Sequence, residues 1–475
     1  MTRREHRRLI VTYTIGVVAP ATAAVLLLLL LAKTSGADHA GPTTIPTAPP
    51  AGPAAFDIGR VLLTIVIIVI AAHTGGMIAT RLRQPRVVGQ ATVGLLLGPS
   101  VLGHIAPDLS RWLRHDNSTH AIDLLAQLGV ILFVFLIGRE LASAHHRRQG
   151  ATAMAVGQTM IAVPLLCGVL TAALLLDGYR PTQVGAVPYT LFVGLAMSAT
   201  ALPVLAHILA ERHLLTSKVG SLGTTAAVIG DATIWCLLAI TMCLVQRGSV
   251  AATIGRLGAA LLFAAITWWL IRPLLHRTLT ARHDSGYAVP ALLIAGLLLS
   301  ALTTEHLGLH SIFGAFLVGL IVPPTSVVVQ RVGVMADGLT EWLLLPLFFA
   351  AVGARTQLDL ITDPRAMVLC LTVLVIAAVS KVLSAGGAGR AVGLGWRDSA
   401  ALGVMMNCRG LTELLILNIG LTAGIIDARV FALFVVMALV TTAATGPLLD
   451  TLGMRRPPTA PAEPERTPVG RVHRT

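Results

Sequence analysis

Long apolar runs succeed one another along almost the whole chain, broken only by short stretches that carry arginine, glycine and proline. A run of about 20 apolar residues crosses the roughly 30 Å core of a bilayer as one helix. The first run extends from Leu9 to Ala32. Thirteen more follow, over residues 58–80, 87–104, 122–138, 151–176, 188–210, 218–245, 250–272, 287–303, 308–322, 342–353, 366–389, 398–417 and 429–451. Some are short or interrupted by Gly and Pro. The pattern predicts an all-α polytopic membrane protein, with about 13 transmembrane helices within residues 58–453 and an extra apolar segment before them.

Composition narrows the class further. The 475-residue chain is 55% hydrophobic and only 12% charged, about half the charged share usual in soluble domains. Its formal charge of +13 does not mark a nucleic-acid surface, because the basic residues sit singly at the ends of apolar runs. The expected surroundings are a lipid bilayer, with no nucleic acid partner. The five cysteines (Cys167, Cys236, Cys243, Cys370 and Cys408) lie within apolar runs without a C-x-x-C pair. They read as small buried hydrophobes.

Arg3, Arg4, Arg7 and Arg8 precede the first run. Residues 1–32 are therefore either a signal peptide or a retained helix. The length of the run and the lack of a clean A-x-A site favour retention. Residues 33–57, rich in Pro, Gly, Thr and Ala, read as an external linker without a fold of its own. The basic, Pro-rich residues 454–475 read as a disordered cytoplasmic tail. With the N-terminus inside, the cytoplasmic loops hold the excess of arginine, among them Arg81, Arg83, Arg147, Arg148, Arg282 and Arg390. That orientation is the one expected for the cell membrane.

The two halves echo each other. Val93-Gly94-Leu95-Leu96-Leu97-Gly98-Pro99-Ser100 resembles Val318-Gly319-Leu320-Ile321-Val322-Pro323-Pro324-Thr325. Leu132-Phe133-Val134-Phe135-Leu136-Ile137-Gly138 resembles Leu347-Phe348-Phe349-Ala350-Ala351-Val352-Gly353. Both matches keep their order. Six helices, a linker helix over 250–272 and six more make two inverted repeats. Transporters of that architecture bind their substrate at the midplane, where broken helices cross.

Two segments have the chemistry of such breaks. Ser198-Ala199-Thr200-Ala201-Leu202-Pro203 sets hydroxyls before a proline that removes a backbone donor. Ser198 and Thr200 either satisfy freed carbonyls in a simple kink or offer oxygens to an ion. Asn407-Cys408-Arg409-Gly410-Leu411-Thr412-Glu413 is the counterpart in the second half. Arg409 and Glu413 stand i, i+4 apart and so share a face, as a structural pair or as support for a nearby site. Asp231 lies alone in a long apolar run, where an ionised carboxylate is expensive and by default marks a site. Lys381 is one of only three lysines among 35 basic residues, and it too sits inside an apolar run. It is either a working ammonium or a side chain snorkelling to the helix end. The sequence contains no nucleotide-binding Gly-rich lysine motif and no catalytic nucleophile motif, so neither a cofactor nor an enzymatic reaction is expected.

Together these segments resemble the monovalent cation:proton antiporter superfamily, and most closely its cation/proton exchanger branch. The similarity covers about residues 58–451. It rests on Gly94 to Gly103, Leu136-Ile137-Gly138-Arg139-Glu140-Leu141, Ser198-Ala199-Thr200-Ala201, Leu209-Ala210-Glu211-Arg212, His310 to Phe316 and Asn407 to Leu414. The resemblance implies a homodimer with a dimerisation domain and a moving core. It also implies an ion-binding aspartate at Asp231, a broken-helix threonine at Thr200 and a core lysine at Lys381. Where relatives carry Asp, Asn or Gln before the aspartate, this chain has Gly230, which leaves a single evident carboxylate.

The expected activity is antiport of a monovalent cation, Na+ or K+, against H+. Asp231, with Thr200 and Ser198, would hold the transported cation or the proton, and Lys381, Asn407, Arg409 and Glu413 would balance the charge. The alternatives are a proton-coupled carrier of an organic solute on the same scaffold, or a channel or sensor. A channel would favour rings of carbonyls or acids along a pore, and the sequence has none.

Overall fold

The computed structural model describes residues 11–34, 57–144, 150–215, 217–245, 250–281 and 288–454. The linker and tail expected at 33–57 and 454–475 fall almost wholly outside these residues. Among the described residues, twelve helices are long and apolar enough to cross a membrane. In chain order the helices are α1 (Val11–Leu31), α2 (Ile58–Arg81), the shorter α3 (Arg86–Leu96), α4 (Asp116–Ala144), α5 (Gly150–Leu175), α6, α7 (Lys218–Val245) and α8 (Ile254–Arg277). The second half holds α9 (Ala288–His306), α10 (Ser311–Ile321), α11 (Val327–Arg355), α12 (Pro364–Ala391), α13 and α14 (Ala428–Thr451). No strand occurs among the described residues.

Two helices are broken where the sequence is polar. The halves of α6 are α6a (Ala186–Ser198) and α6b (Leu202–Glu211); those of α13 are α13a (Trp396–Met406) and α13b (Leu411–Thr422). Pro203 stands in the first turn of α6b, where a missing N–H costs nothing. Two other helices start on side-chain caps: the Asp57 carboxylate accepts the Arg60 N–H at 3.0 Å and that of Asp427 accepts the Val430 N–H at 2.8 Å.

The largest difference from the boundaries read in the sequence is at the start of α11. The run read as 342–353 belongs to a helix that begins at Val327. Gln330, Arg331 and Asp337 dilute its first turns and hide them from a hydropathy window, yet Val328, Val329 and Val332 are buried against neighbouring helices.

Packing sorts the helices into two bundles. α2, α3, α4, α9, α10 and α11 pack mainly on one another, and so do α5, α6, α7, α12, α13 and α14. The same pairings recur in each half: α2 with α3 as α9 with α10, α5 with α6a as α12 with α13a. In the first bundle the halves exchange partners, α3 on α11 and α10 on α4. Glycines permit that exchange. A Cβ on Gly353 would strike the Gly94 carbonyl oxygen, and one on Gly319 would strike that of Phe135 and crowd Gly138. These are the glycines that the two sequence matches set in correspondence. The N-terminal helix α1 lies against α5 and α6a of the second bundle, with Gly16 facing Thr159.

Candidate functional site at the crossing of the broken helices

The breaks of α6 and α13 meet inside the second bundle. The Ala201 N–H donates to the Cys408 carbonyl at 3.0 Å, and the Thr200 hydroxyl donates to the Met406 carbonyl at 3.3 Å. A side chain at 410 would press on Val204 and Ala201, so glycine lets the strands of the crossing approach.

Breaking a helix inside a membrane leaves carbonyls at its C-terminal end without partners and a partial negative charge there. Two buried cations answer this at the end of α6a. Arg409 donates to the carbonyls of Ala196 (3.2 Å) and Met197 (2.7 Å). The Lys381 ammonium, from α12, donates to the Ser198 carbonyl and to the Met160 carbonyl of α5 (3.0 Å). The last three carbonyls of α6a are thus all held by charged donors. Neither cation is exposed, and the Lys381 ammonium points inward instead of snorkelling.

Arg409 and Glu413 form an ion pair, Nη1 to Oε1 3.2 Å, with both side chains buried. Arg409 lies in the non-helical break and Glu413 in the first turn of α13b, so the pair bridges the break rather than lining one helical face. The acid also stands at a positive helix end, where its charge is favoured. Thr442 of α14 fixes the break itself, accepting the Arg409 N–H (2.9 Å) and donating to its carbonyl (2.6 Å).

Asp231 is the exception. It lies on α7, packed against α5, with 2% of its surface exposed, and neither carboxylate oxygen has a hydrogen-bond partner. The charged groups that face it are Glu140 of α4 and Lys381. The space beside it at Gly230 is filled by the Met160 methyl group. Asn407 Oδ1 and Thr412 Oγ1 are also buried without partners at the crossing. Ser198 turns its hydroxyl to its own helix, on the Leu195 carbonyl at 2.8 Å, and contributes its backbone carbonyl instead.

The structure therefore brings Ser198, Thr200, Lys381, Asn407, Arg409 and Glu413 to one crossing, and sets Asp231 within electrostatic reach of Lys381. Met160 and Thr442 escaped the sequence reading, and Glu140 entered it only as part of a matched motif, without a place at the site. Met160 acts through a carbonyl whose only sequence mark is Pro164, four residues on inside α5, which has no N–H to donate to it. Thr442 had only the faint signal of a Thr-Thr pair in an apolar run.

A cavity of about 680 Å3 opens at the end of the molecule where α7 and α11 finish, lined in part by Asp123, Met242, Val245, His310, Arg355 and Asn418. Arg355 of α11 pairs with Asp123 of α4 at 3.0 Å and donates to Asn418 (2.8 Å) and Thr422 (3.0 Å) of α13b, so it ties the first bundle to the second. At the rim, burial holds the His310 imidazole below its ordinary range, with Glu305 working the other way.

A family model described as sodium/hydrogen exchanger, transmembrane, matches residues 65–454. The chain is 33% identical over 393 residues to the Na(+)/H(+) antiporter NhaS4 of Synechocystis sp., covering 82% of this chain and 96% of that one. It is 32% identical to Cation/H(+) antiporter 19 of Arabidopsis thaliana and 32% identical to K(+)/H(+) antiporter 1 of Saccharomyces cerevisiae. The matches cover 84% and 80% of this chain, but only 50% and 46% of those longer proteins. In fold it is similar to the sodium proton antiporter MjNhaP1 of Methanocaldococcus jannaschii, with a TM-score of 0.60 at 15% identity over 84% of this chain and 96% of that one.

Proposed function

Since the chain belongs to the sodium/hydrogen exchanger family, we propose that it is a secondary antiporter in which a monovalent cation and a proton compete for Asp231. One observation carries the site: a carboxylate almost wholly buried in a transmembrane helix, with no hydrogen bond to either oxygen. Such a group is strongly disfavoured as a bare anion. A proton neutralises it covalently, and a desolvated Na+ or K+ neutralises it by coordination. Binding one excludes the other.

Cation ligands beyond Asp231 come from the crossing. Thr200, Ser198 and backbone carbonyls are hard oxygens of the kind such ions take, and Asn407 and Thr412 have oxygens to spare. Lys381, Arg409 and Glu413 hold the ends of the broken helices in place. The bundle carrying Asp231 moves against the other bundle, and only when Asp231 is neutral, because an empty carboxylate cannot cross the apolar contact between them. With Gly230 beside it, a single carboxylate carries one cation one way and one proton back.

The protein works as a multi-pass protein of the cell membrane with its C-terminus in the cytoplasm, as a homodimer joined through the bundle of α2, α3, α4 and α9–α11. Residues 1–32 stay as a helix, 33–57 are an external linker, 58–453 the exchanger domain and 454–475 a tail.

Everted vesicles test the reading. Adding Na+ or K+ should relieve a respiration-driven quench of a pH dye in vesicles holding the wild type, and fail to do so with Asp231→Ala present at equal level. Full exchange by Asp231→Ala would sink the mechanism.

A further inference from the structure

The cavity next to Arg355 ends well short of Asp231. On α7 the positions Asp231, Trp235, Leu238, Met242 and Val245 fall four, three, four and three residues apart, and so lie along one face of the helix. Met242 and Val245 line the cavity. Eleven residues separate Met242 from Asp231, about 16 Å along the axis. Trp235 stands in that gap, one turn from the carboxylate on the side toward the cavity.

Its indole is 1% exposed and packs across the boundary between the bundles. Phe313 lies edge-on at 6.5 Å and Phe316 tilted at 6.1 Å, both on α10. α10 begins at the cavity too, through His310. The phenylalanines are held firmly. Between them the Gly314 N–H donates to Thr304 (3.1 Å) and its carbonyl accepts from Ser300 (2.9 Å), both on α9. Gly314 packs too closely on Ser300 to accept a side chain. The indole has no such anchor: its N–H is buried without an acceptor. One half of the contact is bolted to the first bundle, and the other is kept only by packing on the element that carries Asp231.

We infer that Trp235, seated on Phe313 and Phe316, is the plug that seals Asp231 from the cavity in this conformation. Aromatic rings exclude water from the path, so neither a proton nor a cation reaches the carboxylate from this side while the seal holds. When the second bundle moves, Trp235 leaves the phenylalanines and the face of α7 from Asp231 to Met242 opens to the cavity. The inference rests on Asp231 being the carrier group. The Trp235 side chain acts as a positioning residue that decides which side Asp231 meets.

Proton leak in the absence of any alkali cation tests it. Full-length protein is reconstituted in liposomes with N-methylglucamine replacing every alkali cation, a pH step is imposed, and the membrane-permeant cation tetraphenylphosphonium compensates the charge. Trp235→Ala should dissipate the step at least about tenfold faster than wild type, a change of about 1.4 kcal/mol in the barrier, whereas Trp235→Phe should stay tight. Trp235→Ala combined with Asp231→Asn should return to the wild-type rate, which a general packing defect would not do. A monodisperse, folded Trp235→Ala as tight as wild type would overturn the plug, and so would a leak that persists without Asp231. Because the leak is read without alkali cations, failure of cation exchange in the wild type would count against the antiport reading separately.

Discussion

Lys381 makes two hydrogen bonds to carbonyls on different helices, those of Met160 and Ser198. Its removal strips a buried carbonyl at a helix end and another on α5. Lys381→Met should therefore lower unfolding stability by about 2–4 kcal/mol, measured as a drop in thermal midpoint in detergent. Lys381→Arg, which keeps a charged donor, should lose less. A midpoint unchanged in Lys381→Met would mean that the ammonium is not the cap of α6a. At this scale the sequence is informative where chemistry contradicts environment. Asp231, Lys381, Arg409 and Glu413 stand out because each is ionisable in an apolar run. Their partners do not, since the carbonyls of Met160, Ala196, Met197 and Ser198 belong to every residue alike.

At the level of elements, the crossing is asymmetric in its charges. The end of α6a is met by two cations, while the side-chain donor at the end of α13a, among the described residues, is the neutral Thr200 hydroxyl. Arg409 consequently has two duties, to Glu413 and to α6a. Glu413→Gln leaves Arg409 with its two carbonyl partners, whereas Arg409→Gln strands both the acid and the carbonyls. Arg409→Gln should cost about 3–5 kcal/mol and Glu413→Gln clearly less. The double change should cost less than the sum, since the second substitution removes an acid already without its partner. Strict additivity in thermal or denaturant unfolding would contradict the pairing. The i, i+4 spacing correctly suggested contact between the two, but for the wrong geometry: Arg409 is in the break, and its guanidinium reaches both Glu413 and the end of α6a. The start of α11 at Val327 was hidden for a related reason. Gln330, Arg331 and Asp337 sit among valines whose burial depends on α4 and α9, and a local hydropathy pattern cannot see that packing.

On the scale of the whole molecule, the order of apolar runs carried most of the fold, because a bilayer admits few structures other than helices. The sorting into two bundles was less visible. Its one trace was the pair of matched motifs, whose glycines prove to be the points of close contact, Gly94 with Gly353 and Gly319 with Gly138. Among the described residues, Arg355 is the polar tie between the bundles, through Asp123 on one side and Asn418 and Thr422 on the other. Everything in the account converges on one exchangeable charge at Asp231. The most direct test needs no membrane gradient. Purified protein in weakly buffered detergent solution is titrated with NaCl and KCl, with choline chloride as the control, and proton release is followed by a pH dye. Competition at Asp231 predicts release that saturates near one proton per chain for the transported cation, weakens as the solution is made more alkaline, and vanishes in Asp231→Asn. Saturable cation binding without proton release by the wild type, or undiminished release by Asp231→Asn, would contradict it.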